Sequence, residues 1–254
     1  MVELAAATML GGFGLAYAIG MSRMSGRRSR HVRAFVAAQV VLAIALVMPH
    51  RSLTAHMVQH VLLLVVAAPL LAMGAPLPTM LWALPARGRD RALGLWRAAL
   101  RSQARSWAVW VGAALVAQSV VMLAWHTPAL YGAAVRHQAL HVLQHASYVA
   151  TATVFWWAVG VGSPRRHGAA VPVLFAAALP GSLLGAGLTL AGAPWYREYP
   201  SLSDQQLAGV VMWGFGGLAY VLAAACLFGL WLAGMERETP ARPLEPALMT
   251  GGPR

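Results

Sequence analysis

"HMVQHVLLLVVAAPLLAMGAP", residues 56–76, joins two histidines one helical turn apart to an unbroken apolar run. A four-residue step returns to the same helix face, so His56 and His60 project to one side. With its flanks the run covers residues 55–74, and about 20 apolar residues suffice to cross the hydrocarbon of a bilayer. The same kind of run recurs at about 2–20, 34–50, 106–125, 139–161, 170–190 and 206–233. The expected fold is therefore all-α: a polytopic transmembrane bundle of seven helices. Composition agrees, with 254 residues, 59% hydrophobic and only 10% charged, and a mean hydropathy of +0.62. A soluble domain carries about 25% charged residues.

The net charge of +12 does not indicate a nucleic-acid partner. All 19 basic residues are Arg, and they lie in the connections between apolar runs rather than along one soluble stripe. Their distribution orients the bundle instead. Sixteen fall after spans one, three, five and seven, against three (Arg51, Arg136 and Arg197) in the alternate loops. Positive loops stay in the cytoplasm, which puts the N-terminus outside and the C-terminus in the cytoplasm. Glu3 leads the first run and five Arg follow it, the reverse of a secretory leader, so that run is read as a retained span. Trp125, Trp195, Tyr196 and Tyr199 are expected at the outer interface, and Trp156 and Trp157 toward the inner one.

Residues 1–235 form one transmembrane domain. Residues 236–254, with four Pro and two Gly, read as a disordered cytoplasmic tail. In the longest loop, 75–105, Leu93, Trp96 and Leu100 share a helical face while Arg97, Arg101 and Arg105 recur every four residues. That pattern suits a helix lying on the anionic inner leaflet. The single Cys226 sits within an apolar run and reads as a small hydrophobe, so thiolate chemistry is not expected.

The chemistry-bearing residues gather at the outer end. They are His50, His56, His60, His126, His137, His141 and His145. His137, His141 and His145 form a second ladder at the start of span five, in "HQALHVLQHASYVATATVFWW". Imidazole at the edge of hydrocarbon is costly unless something uses it. Two ladders on neighbouring helices could supply two to four nitrogens to one ion, and thioethers such as Met57 and Met212 would add a preference for Cu(I). The candidate metal ligands are His56, His60, His141, His145 and His137, with His126, His50, Met57, Asp204 and Met212 as possible additions. Ser203-x-x-Gln206 fits a capping box for span seven, and Asp204 suits the positive helix end. Pro69 in span three marks a kink, and Gly185 in span six permits close helix approach. There is no His-Glu-x-x-His motif and no Gly-rich phosphate loop, so no enzymatic reaction is expected.

Four blocks in order resemble the polytopic bacterial cytochrome c oxidase assembly factors of the CtaG family. They are residues 56–76, "WHTPALY" at 125–131, residues 137–157 and "SLSDQQLAGVVMW" at 201–213. They cover spans three to seven. Gln144 departs from the pattern, where Glu is frequent. The resemblance implies a multi-pass protein of the bacterial plasma (inner) membrane that helps assemble a haem-copper oxidase. Its implied partners are the oxidase subunits, the lipid bilayer and an extracytoplasmic copper donor. Copper, as Cu(I), is the expected ligand. The alternative reading is a b-type cytochrome with haem held between one His of each ladder. Cation transport and a metal-free scaffold are further readings.

Overall fold

The structure is a computed structural model that describes residues 2–24, 29–49, 51–160 and 164–238. Among these every regular element is helical. In chain order they are α1 (Val2–Arg23), α2 (Ser29–Val47), α3 (Leu53–Gly74), α4 (Pro76–Leu81), α5 (Ala86–Arg105), α6 (Trp107–Trp125), α7 (Pro128–Arg136), α8 (Gln138–Gly160) and α9 (Pro164–Leu190). The last, α10, runs through Leu202–Val210, a π-helical Val211–Gly216 and Gly217–Glu238. Five helices (α2, α3, α6, α9 and α10) are long and apolar enough to cross a membrane, against the seven spans expected. The other two expected spans coincide with α1 and α8, helices of 22 and 23 residues. In α8, His141, Gln144, His145 and Ser147 crowd the first three turns and lower its apolarity. The expected tail begins at 236, but α10 continues to Glu238; the rest of it lies outside the described residues.

α3 is the central rod. It packs against α2, α8 and the start of α10, while α6 pairs with α8 and α9 with α10. Pro69 explains its irregular middle. A helical proline clashes with the carbonyl four residues back and donates no hydrogen bond. Here the turn before it, Leu62–Ala67, widens to a π-helix, and the Ala68 N–H reaches back to the Leu63 carbonyl. The Leu64 carbonyl, which would look to residue 69 for a π-type donor, accepts the Trp156 indole N–H at 2.9 Å instead. Trp156 is thus bonded to the α3 backbone.

Gly185 of α9 and Gly209 of α10 bring those helices into backbone contact. A Cβ at Gly185 would stand 2.7 Å from the Gly209 carbonyl oxygen and 2.8 Å from the Trp213 nitrogen. The corner between α3 and α4 is made by Ala75 at φ 46°, a left-handed conformation for a residue with a side chain, followed by Pro76 at the first helical position. The amphipathic stretch expected in 75–105 is α5, with Leu93 buried against the bundle and Leu95 74% exposed.

Two expectations of placement are corrected. Tyr196 and Tyr199 are not interfacial anchors but are buried, packed into an apolar core with Leu53, Met57 and Tyr131. Their hydroxyl-bearing rings fill space beside polar groups that need partners. Cys226 is exposed on α10 rather than buried.

Candidate metal centre

The start of α3 is fixed before its histidines begin. The Ser52 hydroxyl accepts from the Ala55 N–H at 3.1 Å. The Asp204 carboxylate of α10 accepts from the Leu53 and Thr54 N–H groups at 2.6 and 3.2 Å, and from the Thr54 hydroxyl at 2.6 Å. These bonds satisfy donors that a helix start leaves unpaired, and they lock α3 to α10. Asp204 is therefore a cross-helix cap, which removes it from the expected ligands. The cap of α10 itself is Ser201, accepting from the Asp204 N–H at 3.3 Å, rather than the expected Ser203.

One turn in, His56 is fully buried, and His60 follows at 1% exposure. α8 turns His141 and His145 toward them. The Nε2 atoms of His56 and His141 are 3.2 Å apart, and the candidate ligand atoms of His56, His141 and His145 all lie within 4.8 Å of one another. His60 stands beside this group of three, its ring 4.5 Å from that of His56 and 5.3 Å from that of His145. Both ring nitrogens of His60 are buried with no hydrogen-bond partner. Each such unmade bond costs about 1–3 kcal/mol, a penalty that a ligand shared with the neighbouring rings would remove.

The surrounding shell orients these rings. The Tyr131 hydroxyl lies 2.7 Å from His56 Nδ1. In the tautomer that donates from Nδ1 to Tyr131, the Nε2 lone pair is left facing His141. His126, at the end of α6, places its ring 5.4 Å from that of His60. Its Nδ1 donates to the Met122 carbonyl at 2.7 Å, while its Nε2 is buried without a partner. Burial brings the His126 imidazole down to about 4, against the opposing pull of that carbonyl bond, so the ring is neutral. Burial also raises the Tyr131 phenol, and it pushes Tyr199 up to about 12 with the Asp204 and Glu198 carboxylates adding to the shift. No tyrosinate charge is available here. The ligand atoms that gather within 4.8 Å of one another are imidazole nitrogens, with no carboxylate or thiolate in that group among the described residues.

The remaining expected residues sit elsewhere or do other work. His137 is exposed at the end of α7, outside the cluster; its carbonyl starts the α8 bonding by accepting from the His141 N–H at 3.0 Å. His50 lies outside the described residues. Met57 is fully buried in the apolar core with Leu53 and Tyr131. Met212 is buried there too and lines a small cavity beside His60. Gln205 accepts from the Trp195 N–H at 2.6 Å and donates to the Ala193 carbonyl at 3.3 Å, bracing the loop before α10.

Sequence reasoning missed Tyr131 and Tyr148, which wall the cluster. Tyr131 comes from α7, a helix hidden in what reads as a short link between spans four and five. The available signal was Thr127-Pro128: proline at the first helical position after a hydroxyl residue marks a helix start.

The family model described as cytochrome c oxidase caa3 assembly factor (Caa3_CtaG) matches residues 15–233. The chain belongs to that family. The match reaches from within α1 through nearly all of α10, so it includes α2, which lies outside the four resembling blocks. No curated protein and no solved structure matches the chain. As a cytochrome c oxidase assembly factor with several membrane-crossing helices, it is a membrane protein that acts with cytochrome c oxidase.

Proposed function

We propose that this assembly factor captures Cu(I) from the outer side of the bacterial plasma membrane in the cluster of His56, His60, His141 and His145, and releases it to an oxidase subunit beside it. The observation that carries the reading is the convergence of His56, His141 and His145 from two helices, their ligand atoms within 4.8 Å of one another, with His60 beside them and both of its nitrogens unpartnered. Ligands of one ion at about 2 Å each stand roughly 3–4 Å apart. The donor chemistry favours a monovalent soft ion. The cost of burying an ion rises with the square of its charge, and this site has no anionic ligand to offset it. Imidazole suits copper, and Cu(I) asks for few ligands. We place the site at the outer end of seven spans, with α1 and α8 completing the five apolar ones and the Arg-rich loops inside. The protein is a carrier and not a catalyst, and an extracytoplasmic donor supplies it.

The b-type cytochrome reading finds no support in the packing. Ring centroids within the cluster lie 4.3 to 5.9 Å apart, which leaves no slot for a macrocycle between opposed imidazoles. The test is a Cu(I) titration of the purified full chain against a chromogenic chelator. One high-affinity Cu(I), lost when His60 and His145 are both changed to Ala in protein that still folds, supports the reading. Unchanged affinity in that double variant refutes the ligand assignment, and a Soret band in the isolated protein would restore haem.

A further inference from the structure

Below the histidine cluster lies a small cavity of about 50 Å³ between α3, α6, α9 and α10. His60 lines its upper end, and Met122 and Met212 line it from α6 and α10. Its lower part is closed by Gln118, whose side-chain amide donates to the Tyr220 hydroxyl at 2.6 Å. The Gln118 carbonyl oxygen is buried with no partner. Gln118 stands two turns before His126 on α6, which puts this lower part about 12 Å farther into the bilayer at 1.5 Å per residue. The π-helical segments of α3 and α10 both border the cavity, through Leu64 and Val65 on one side and Met212 and Gly216 on the other. Such segments recur at functional sites, where the extra residue re-aims side chains.

His60 differs from its neighbours in one respect. Histidines that hold a metal with one nitrogen normally have the other pinned by a hydrogen bond, which fixes the ring. His56 is held in this way by Tyr131, and His126 by the Met122 carbonyl. His60 has neither nitrogen engaged, and it borders both the imidazole cluster and the methionine-lined cavity. A neutral ring so placed has one lone pair, which one tautomer presents upward to the cluster and the other downward to the cavity.

The geometry points to a second Cu(I) site, formed by His60, Met122 and Met212, into which the ion passes from the imidazole cluster. This rests on the copper-capture reading above and extends it inward. Thioether sulfur is a soft, neutral ligand that selects Cu(I) over divalent ions. With two methionines and a neutral imidazole as ligands, the only charge buried is the single positive charge of the ion. Transfer exchanges a nitrogen ligand for a sulfur ligand while copper stays Cu(I), so no electron is gained or lost. Gln118 lies beneath the site, its free carbonyl oxygen supplying a favourable dipole for a cation.

The experiment loads the full-length detergent-solubilised chain with Cu(I) to saturation, counts copper per chain, and records X-ray absorption at the copper edge. Two Cu(I) per chain with both Cu–N and Cu–S scattering is the expected result. In the M122L/M212L variant, which nearly conserves volume, copper falls to one per chain and the sulfur scattering disappears. In H56A/H141A one ion is retained with its sulfur signal. Saturation of the wild-type chain at one ion with nitrogen scattering alone overturns the second site and leaves the capture site intact. A single ion with nitrogen and sulfur together merges the two sites and equally overturns this inference. No bound Cu(I) at all overturns both. Because the wild-type spectrum decides between these outcomes, a variant that failed to fold would not rescue the idea.

Discussion

Replacing Asp204 separates a structural role from a ligand role at the mouth of the site. Its carboxylate accepts from the Leu53 N–H, the Thr54 N–H and the Thr54 hydroxyl, the longest of these bonds being 3.2 Å. A hydrogen bond to a charged group is worth about 1.5–3 kcal/mol, and its loss leaves part-buried donors at the start of α3 unsatisfied. Not all three bonds add, because the Thr54 hydroxyl also reaches the Asp204 backbone carbonyl at 3.0 Å and keeps that partner. Asp204→Ala should therefore cost about 3 kcal/mol. Asp204→Asn, which keeps one oxygen acceptor but loses the charge, should cost about 1–2 kcal/mol. For a chain of this size, 3 kcal/mol corresponds to a fall of roughly 6–12 °C in apparent Tm. His56 lies one turn beyond the released end, so copper affinity should weaken in proportion to the loss of order, without vanishing. The assay is thermal unfolding in detergent at matched scan rates, with hydrogen exchange at the Leu53 and Thr54 amides and a Cu(I) competition titration on the same samples. Unchanged Tm and unchanged amide protection in Asp204→Ala would refute the capping account. Abolished copper binding with stability intact would return Asp204 to the ligand list.

Tyr131→Phe removes the hydroxyl that orients His56 and should weaken Cu(I) binding about 10-fold or more without unfolding the bundle, read by chelator competition. Gly185→Ala drives a methyl group against the Gly209 carbonyl and the α10 backbone beside Met212. It should destabilise by about 1–3 kcal/mol, measured by thermal unfolding, because the obstacle is main chain rather than a side chain able to swing away.

Much of the helical layout could be read from sequence because lipid imposes a simple rule. Backbone groups must bond internally, so long apolar runs become helices, and the expected spans at 55–74 and 106–125 fall within a residue or two of α3 and α6. The four-residue spacing of His56 with His60, and of His141 with His145, also fixed that each pair shares a face, since this is a property of one helix. Neither rule could tell that the two faces meet, because rotation about a helix axis is set by the neighbours it packs against. The same limit hid Tyr131, which arrives at His56 from 75 residues away, and turned Asp204 from a possible ligand into the cap of another helix. His137 continues the spacing of its ladder but precedes the first residue of α8, so periodicity carried past the helix end gave it a place in the cluster that the backbone does not provide.

From its residues alone, then, this chain determines that it is helical, that its apolar runs suit a membrane, and that imidazoles gather near one end, because each of these depends on local composition and spacing. Which imidazoles meet, which polar groups already have partners, and where methionine sulfur lies beside an unpinned ring were decided only when the helices packed, because each depends on relative rotation and depth among segments far apart in sequence.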